Sequence, residues 1–268
     1  MPHLKVNEAN LYYEEHGAAQ ETIVLSHGLL WSGFMFHDQI AVLKNQYRCI
    51  TFDFRGQGQS EVTPSGYDIE NLYADAVALI DVLGCSPCHF VGLSMGGFVG
   101  LRVAIRRPDL LKSLILIETS SDPEPTENIG RYRMLNFIAR WMGLGVVSDR
   151  VMKIMFGQKF LNDPVRATLK HEWKKRMIAN HRIGITRAVS GVINRDGVTD
   201  QLGQIGTPTL IIVGDQDVAT VPAKAELMRA HIPNSRLVII PGAGHTSTVE
   251  EPVAVTTAMA EFLTSLAG

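Results

Sequence analysis

Short apolar runs alternate along the chain with segments of helical spacing. Thr22 to Ser26 (TIVLS), His89 to Leu93 and Leu111 to Ile117 (LKSLILI) are continuous apolar or β-branched runs. Such runs predict strands buried on both faces of a sheet. Leu11 to His16 (LYYEEH) and Tyr47 to Asp53 (YRCITFD) predict two further strands. Ile69 to Leu83 carries apolar residues at 69, 72, 76, 79, 80 and 83, a helical spacing that Gly84 is placed to end. Helices are also predicted near Met35 to Lys44 and over Met95 to Arg107, the second stopped at Pro108. This alternation implies an α/β fold, a mainly parallel sheet with helices on both faces.

The pattern then changes. From Thr119 to about Asp200 there is no buried-strand run. Asp122 to Pro125 reads as a linker, and helix-like stretches rich in Met, Trp and Arg follow at 128–143, 146–157, 163–180 and 183–194. Alternation resumes at Thr209 to Val213 (TLIIV), then a helix over 222–231, a strand over 236–240 (RLVII) and a last helix over 251–266. The expected organisation is one α/β core made of 1–118 and 201–268, interrupted by a helical cap over 119–200. No internal repeat is seen.

Composition narrows the class. The chain has 268 residues, 46% hydrophobic and 19% charged, enough for a large core without disulfides or structural metals. The net charge of -2 argues against a nucleic-acid or anionic-membrane partner. The densest basic stretch, Lys170 to Arg176, is broken by His171, Glu172 and Trp173 and reads as a solvated helix face. Cysteines at 49, 85 and 88 are few and odd in number, which fits a reducing compartment. Cys85-Ser86-Pro87-Cys88 is a C-x-x-C, but no second pair completes a zinc site, and the two are read as packing residues. Met1 to Asn10 has no signal-like apolar core, and no apolar run reaches the roughly 18 residues of a membrane helix. A cytoplasmic protein without a membrane partner is expected. A homo-oligomer is left open.

Candidate chemistry centres on Gly92-Leu93-Ser94-Met95-Gly96, a G-x-S-x-G between a predicted strand and a predicted helix. On so tight a turn, side chains two residues before and after the serine would collide with backbone, hence the glycines. Ser94 is the candidate nucleophile. A serine hydroxyl needs a base, itself oriented by a carboxylate. His245 ends Pro241-Gly242-Ala243-Gly244-His245, directly after the strand RLVII, and is the candidate base. His27 also follows a buried strand but precedes the serine, the wrong order for this motif. Gly214-Asp215-Gln216-Asp217 follows TLIIV. Asp217 lies further into the loop and is preferred as the acid, Asp215 is read as capping the turn, and Glu118, after LKSLILI, is a third candidate.

A tetrahedral intermediate needs two N–H donors. Met95, after the nucleophile, and Leu29, in the His27-Gly28-Leu29 turn, are the candidates for this oxyanion hole, with His27 bracing the loop. Leu30, Trp31, Phe34, Trp141, Met142 and Met155 are expected to line the substrate pocket. No metal or organic cofactor is called for.

These residues together resemble the α/β-hydrolase superfamily over essentially the whole chain. The matching stretches are His27-Gly28, Asp53-Phe54-Arg55-Gly56-Gln57-Gly58-Gln59-Ser60, Gly92 to Gly97, Gly214 to Asp217 and Gly242 to His245. Within the superfamily the chain looks most like cap-bearing serine esterases and the 3-oxoadipate enol-lactonase group. The resemblance implies the α/β-hydrolase fold, places the acid at the last aspartate of GDQD, and makes the Asp53 to Ser60 stretch structural. Gln57 stands where many relatives have histidine, and no role is assigned to it. The implied activity is hydrolysis of a carboxylic ester or lactone of a small molecule. Carbon–carbon bond hydrolysis and cofactor-free haloperoxidase or perhydrolase chemistry are alternatives on the same residues. A small-molecule-sensing signalling module is the non-enzymatic alternative.

Overall fold

The computed structural model describes residues 2–266. Among them, eight strands form one sheet in the order β1-β2-β4-β3-β5-β6-β7-β8. The strands are β1 His3–Val6, β2 Ala9–His16, β3 Thr22–Ser26, β4 Arg48–Phe52, β5 Cys88–Leu93, β6 Leu111–Ile117, β7 Thr209–Gly214 and β8 Ser235–Ile240. β1 pairs antiparallel with β2, and β2 antiparallel with β4, whereas every pairing from β4 through β3, β5, β6 and β7 to β8 is parallel.

The period of two along each central strand sorts its side chains between two cores, one on each face. Ile23 and Leu25 of β3, Ile115 and Ile117 of β6 and Leu210 and Ile212 of β7 point into one core. Val24, Leu114, Leu116, Ile211 and Val213 point into the other. Helices Ile69–Val82, Met95–Arg106 and Pro222–His231 cover the second face with Leu72, Ala76, Leu79, Val99, Val103 and Met228. Helices His37–Leu43 and Pro252–Thr264 cover the first with Ile40, Val255, Met259 and Phe262. β8 departs from expectation. It lies at the sheet edge, and its Ile239 is exposed, so RLVII is an edge strand and not a buried one.

Between β6 and β7 the chain leaves the sheet and forms helices Thr126–Met142, Leu144–Met155, Gln158–Asn162, Ala167–Ile178 and Arg182–Ile193. A short 3-10 turn, Thr199–Gln204, returns to the sheet, with Val198, Leu202 and Ile205 in the second core. Cys85 and Cys88 are free thiols buried in that same core. No helix among the described residues is long and apolar enough to cross a membrane.

The connections decide where chemistry can sit. β3 has β4 on one side and β5 on the other. The chain therefore reverses its direction of winding beside β3, and a crevice opens at the carboxyl ends of β3 and β5. His27 and Ser94 are the residues that immediately follow these two strands.

Candidate active site

Ser94 joins β5 to helix Met95–Arg106 with φ 51° and ψ −110°. That conformation costs a non-glycine residue about 1–3 kcal/mol and persists only when its surroundings hold it. Here the Ser94 N–H donates to Ile117 O at 2.8 Å, and its carbonyl accepts from Phe98 N–H at 3.0 Å and from Thr119 Oγ1 at 2.8 Å. The flanking glycines are required by close approach. A Cβ on Gly92 would lie 2.3 Å from Gly96 O, and one on Gly96 would lie 2.1 Å from Ser26 O.

The loops after β7 and β8 bring the other two groups to the serine. Gln216 N–H donates to Ala243 O at 2.9 Å, and Gly242 N–H donates to the Asp215 carboxylate at 2.7 Å, so the two loops are tied together. Asp215 is thus a strut between loops and does not reach the imidazole chain. Asp217 Oδ2 accepts from His245 Nδ1 at 2.8 Å, which leaves Nε2 to accept from Ser94 Oγ at 2.9 Å. All three side chains are buried. Asp217 also accepts from Ala219 N–H at 2.7 Å, Thr220 N–H at 3.0 Å and Thr220 Oγ1 at 2.7 Å. Burial works to raise its pKa, but the His245 charge and the side-chain hydrogen bonds from His245, Glu118 and Thr220 outweigh it and hold the carboxyl below its ordinary range.

Glu118 lies beside this chain, fully buried at the end of β6 with φ 44°. Its carboxyl accepts from Gly214 N–H at 2.8 Å. Burial, and after it the Asp217 charge, push it well above the ordinary carboxylate range, so it is held as the neutral acid that hydrogen-bonds Asp217. One atom from each of Glu118, Asp217 and His245 lies within 4.8 Å of the others, a spacing that could hold a metal ion. Their hydrogen bonds to one another, to Gly214 and to Thr220 already occupy those atoms.

The backbone N–H groups of Leu29 and Met95, which flank Ser94, have no acceptor among the described residues. Their loops are held in place from several sides. Phe54 N–H donates to His27 Nε2 at 3.0 Å, so Nδ1–H donates to Gly28 O at 2.7 Å, and burial keeps this imidazole below its ordinary pKa. Leu30 adopts φ 75°, and its N–H donates to Gln57 Oε1 at 2.9 Å. Gln57 Nε2 reaches Met95 Sδ at 3.9 Å. Gln57 therefore bridges the two segments that carry these N–H groups, a role that its place within D-x-R-G-x-G-x-S does not signal.

Glu250 is a second residue the sequence did not single out. Its carboxylate accepts from Gly157 N–H at 2.8 Å, Gly244 N–H at 3.0 Å and Thr246 N–H at 3.1 Å, clamping both sides of His245. Burial outweighs these donors and raises its pKa from 4.5 to about 7. A carboxyl whose folded pKa is raised stabilises the fold fully below pH 4.5 and loses that contribution as pH climbs through 7. Glu250→Gln removes this titration. The variant's Tm should fall less than the wild type's between pH 5 and pH 8, although its Tm at pH 5 is lower because Thr246 N–H loses an acceptor. Equal slopes in thermal melts across that range would contradict the assignment.

Above Ser94 the inserted helices close a cavity of about 140 Å³ lined by Leu29, Leu30, Ser94, Met155 and His245 together with side chains of the helices themselves. Four residues expected there lie elsewhere. Trp31 is buried in edge-to-face contact with Phe156 and Trp173, and Phe34 is half-exposed under the Arg176 guanidinium at 3.7 Å. Both fasten the insertion to the core on its outer side. Trp141 and Met142 are exposed to solvent at the end of helix Thr126–Met142. That helix turns Tyr132, Leu135, Asn136 and Ala139 toward the cavity, a 3.6-residue stripe that places Trp141 on the opposite face.

A doubly covered parallel sheet that holds a serine, a histidine and an aspartate in one buried chain at its carboxyl edge defines a hydrolytic enzyme. Residues 21–252 match the family described as alpha/beta hydrolase fold, and the chain belongs to that family. It is 31% identical over 230 residues to the 3-oxoadipate enol-lactonase 1 of Acinetobacter baylyi, covering 86% of this chain and 84% of that one. A thermophilic esterase from Thermogutta terrifontis superposes with a TM-score of 0.89 at 29% identity, over 96% of this chain and 94% of that one. The enol-lactonase from Burkholderia xenovorans LB400 superposes with a TM-score of 0.91 at 27% identity, over 98% of this chain and 100% of that one.

Proposed function

We propose that the enzyme hydrolyses a carboxylic ester or lactone of a small molecule through an acyl-enzyme on Ser94. The observation that carries this reading is the unbroken chain from Ser94 Oγ through His245 to Asp217, beside two N–H groups with no acceptor. Ser94 Oγ attacks the carbonyl carbon while His245 Nε2 takes its proton. The Leu29 and Met95 N–H groups receive the developing oxyanion, and Asp217 stabilises the imidazolium. His245 then gives the proton to the leaving alkoxide. Water attacks the acyl-enzyme with His245 again as base, which releases the acid and restores Ser94. In a lactone the freed hydroxyl stays tethered to the acyl group through both steps, and the product is a single hydroxy acid. The helices of the insertion act as a cap that keeps bulk water from the cavity. The lactonase and the esterase among the relatives support carboxylic acyl transfer, beside others named as putative carbamate hydrolase and putative non-heme bromoperoxidase.

An alkyl fluorophosphonate tests the assignment. It should add once per chain at Ser94, located by peptide mass, and abolish turnover of p-nitrophenyl butanoate. His245→Ala should slow the labelling at least ~100-fold, since the hydroxyl loses its base. Labelling at another residue, or full turnover after complete labelling, would refute the reading.

A further inference from the structure

The cavity above Ser94 is apolar almost throughout. Leu135, Leu144, Val147, Val151, Ile154 and Ile185 supply much of its wall. Apart from His245, its charged lining residues are Glu124 and Arg195, and these cancel each other. Arg195 Nη1 donates to Glu124 Oε2 at 2.8 Å, with both side chains more than nine-tenths buried. The guanidinium is fixed from other directions as well. Nη1 donates to Val192 O at 2.9 Å, Nε donates to Asp122 O at 3.2 Å, and the group lies 4.2 Å from the centroid of the Phe98 ring. Glu124 is held in turn by Asn128 Nδ2 at 3.2 Å. Arg195 is therefore a preset anion receptor whose charge is already taken.

We propose that this cavity receives an uncharged, apolar acyl group, and that Glu124 sets the choice by occupying Arg195 so that carboxylate-bearing acyl groups are rejected. The proposal rests on the acyl-enzyme reading of Ser94. The aliphatic wall follows from Leu135, Leu144, Val147, Val151, Ile154 and Ile185, which offer an acyl chain apolar contact and no hydrogen-bond partner. Charge follows from desolvation. A carboxylate carried into this wall leaves water and meets a guanidinium that already has a partner, so its burial is uncompensated.

Substrate pairs differing only in charge test it. In a series of p-nitrophenyl esters, kcat/KM should rise about fourfold for each methylene that the apolar wall buries. The p-nitrophenyl ester of adipic acid methyl ester should be cleaved at least ~100-fold faster than that of the free half-acid. Glu124→Gln should cut this preference at least ~10-fold by raising kcat/KM for the half-acid, because Arg195 is then unpaired beside the cavity. Glu124→Gln combined with Arg195→Met should restore the neutral preference. This double variant also covers the case in which the single variant folds poorly by circular dichroism, because it carries no unpaired buried charge. A wild type that cleaves the half-acid as fast as its methyl ester, in a Ser94-dependent reaction, would overturn the proposal and leave the acyl-enzyme reading intact. No Ser94-dependent cleavage of either ester would instead refute that underlying reading. An unchanged preference in Glu124→Gln, or a double variant whose neutral preference stays as low as the single variant's, would remove Glu124 from the explanation.

Discussion

Ser94→Ala is expected to lower kcat/KM for a neutral p-nitrophenyl ester by at least ~10³-fold while leaving the fold intact. The hydroxyl that alanine removes makes its hydrogen bond to His245 Nε2, and it supports no other part of the structure. The backbone contacts that hold the turn, from Ser94 N–H to Ile117 O and from Thr119 Oγ1 to Ser94 O, do not involve the side chain. Tm should therefore move by no more than a few degrees. His245→Ala should cost a similar factor, and the double variant should be no slower than either single one, because the two groups act as a unit. A residual rate above that of water should survive in all three, since the Leu29 and Met95 N–H groups are unaffected. Initial rates with substrate in excess decide the matter. Turnover within tenfold of the wild type in Ser94→Ala would remove the serine from the mechanism. A single slow burst in the wild type would indicate a sensor in place of an enzyme.

The parts of the fold and site that could be read from the sequence are those fixed by short-range pattern. TIVLS, LKSLILI and TLIIV read as buried strands because central parallel strands are apolar on both faces. The candidates Ser94, Asp217 and His245 could be picked out because Ser94 directly follows β5 and the other two lie in the short loops after β7 and β8, all at the carboxyl edge of the sheet. β1, with the polar sequence HLKV at the sheet edge, has no such signature. The pocket was the least legible part. Trp31, Phe34, Trp141 and Met142 were singled out by residue type, but a helix has an inside and an outside, and only its packing says which is which. The stripe Tyr132, Leu135, Asn136 and Ala139 carried that information, as did the pairing of Glu124 with Arg195 across 71 positions of sequence. The roles of Gln57, Thr220 and Glu250 likewise rest on contacts that no local spacing encodes. Of the three, Thr220 bears most directly on the chemistry, because it shares Asp217 with His245.

Asp217→Asn should reduce kcat by roughly 10⁴-fold, even though a second carboxyl lies within reach. Asparagine presents an N–H₂ or an oxygen toward His245 Nδ1. Thr220 N–H and Ala219 N–H already donate to the other oxygen, so the amide oxygen is drawn to them and the N–H₂ is turned toward the imidazole. The histidine must then take the tautomer with Nε2 protonated, and it cannot accept the proton of Ser94. Glu118 does not rescue this loss while it is neutral. Its pKa is held up first by burial and then by the Asp217 charge, and removing that charge lowers it only in part. Glu118 also remains tied to Gly214 N–H and is not the group that contacts Nδ1. Asp217→Asn should therefore regain some activity as pH rises and Glu118 ionises, a recovery that Asp217→Asn combined with Glu118→Gln should lack. A pH–rate profile of the two variants separates the roles. Near-wild-type kcat in Asp217→Asn would transfer the role of acid to Glu118. A flat profile in both would show that Glu118 only fills space beneath Asp217.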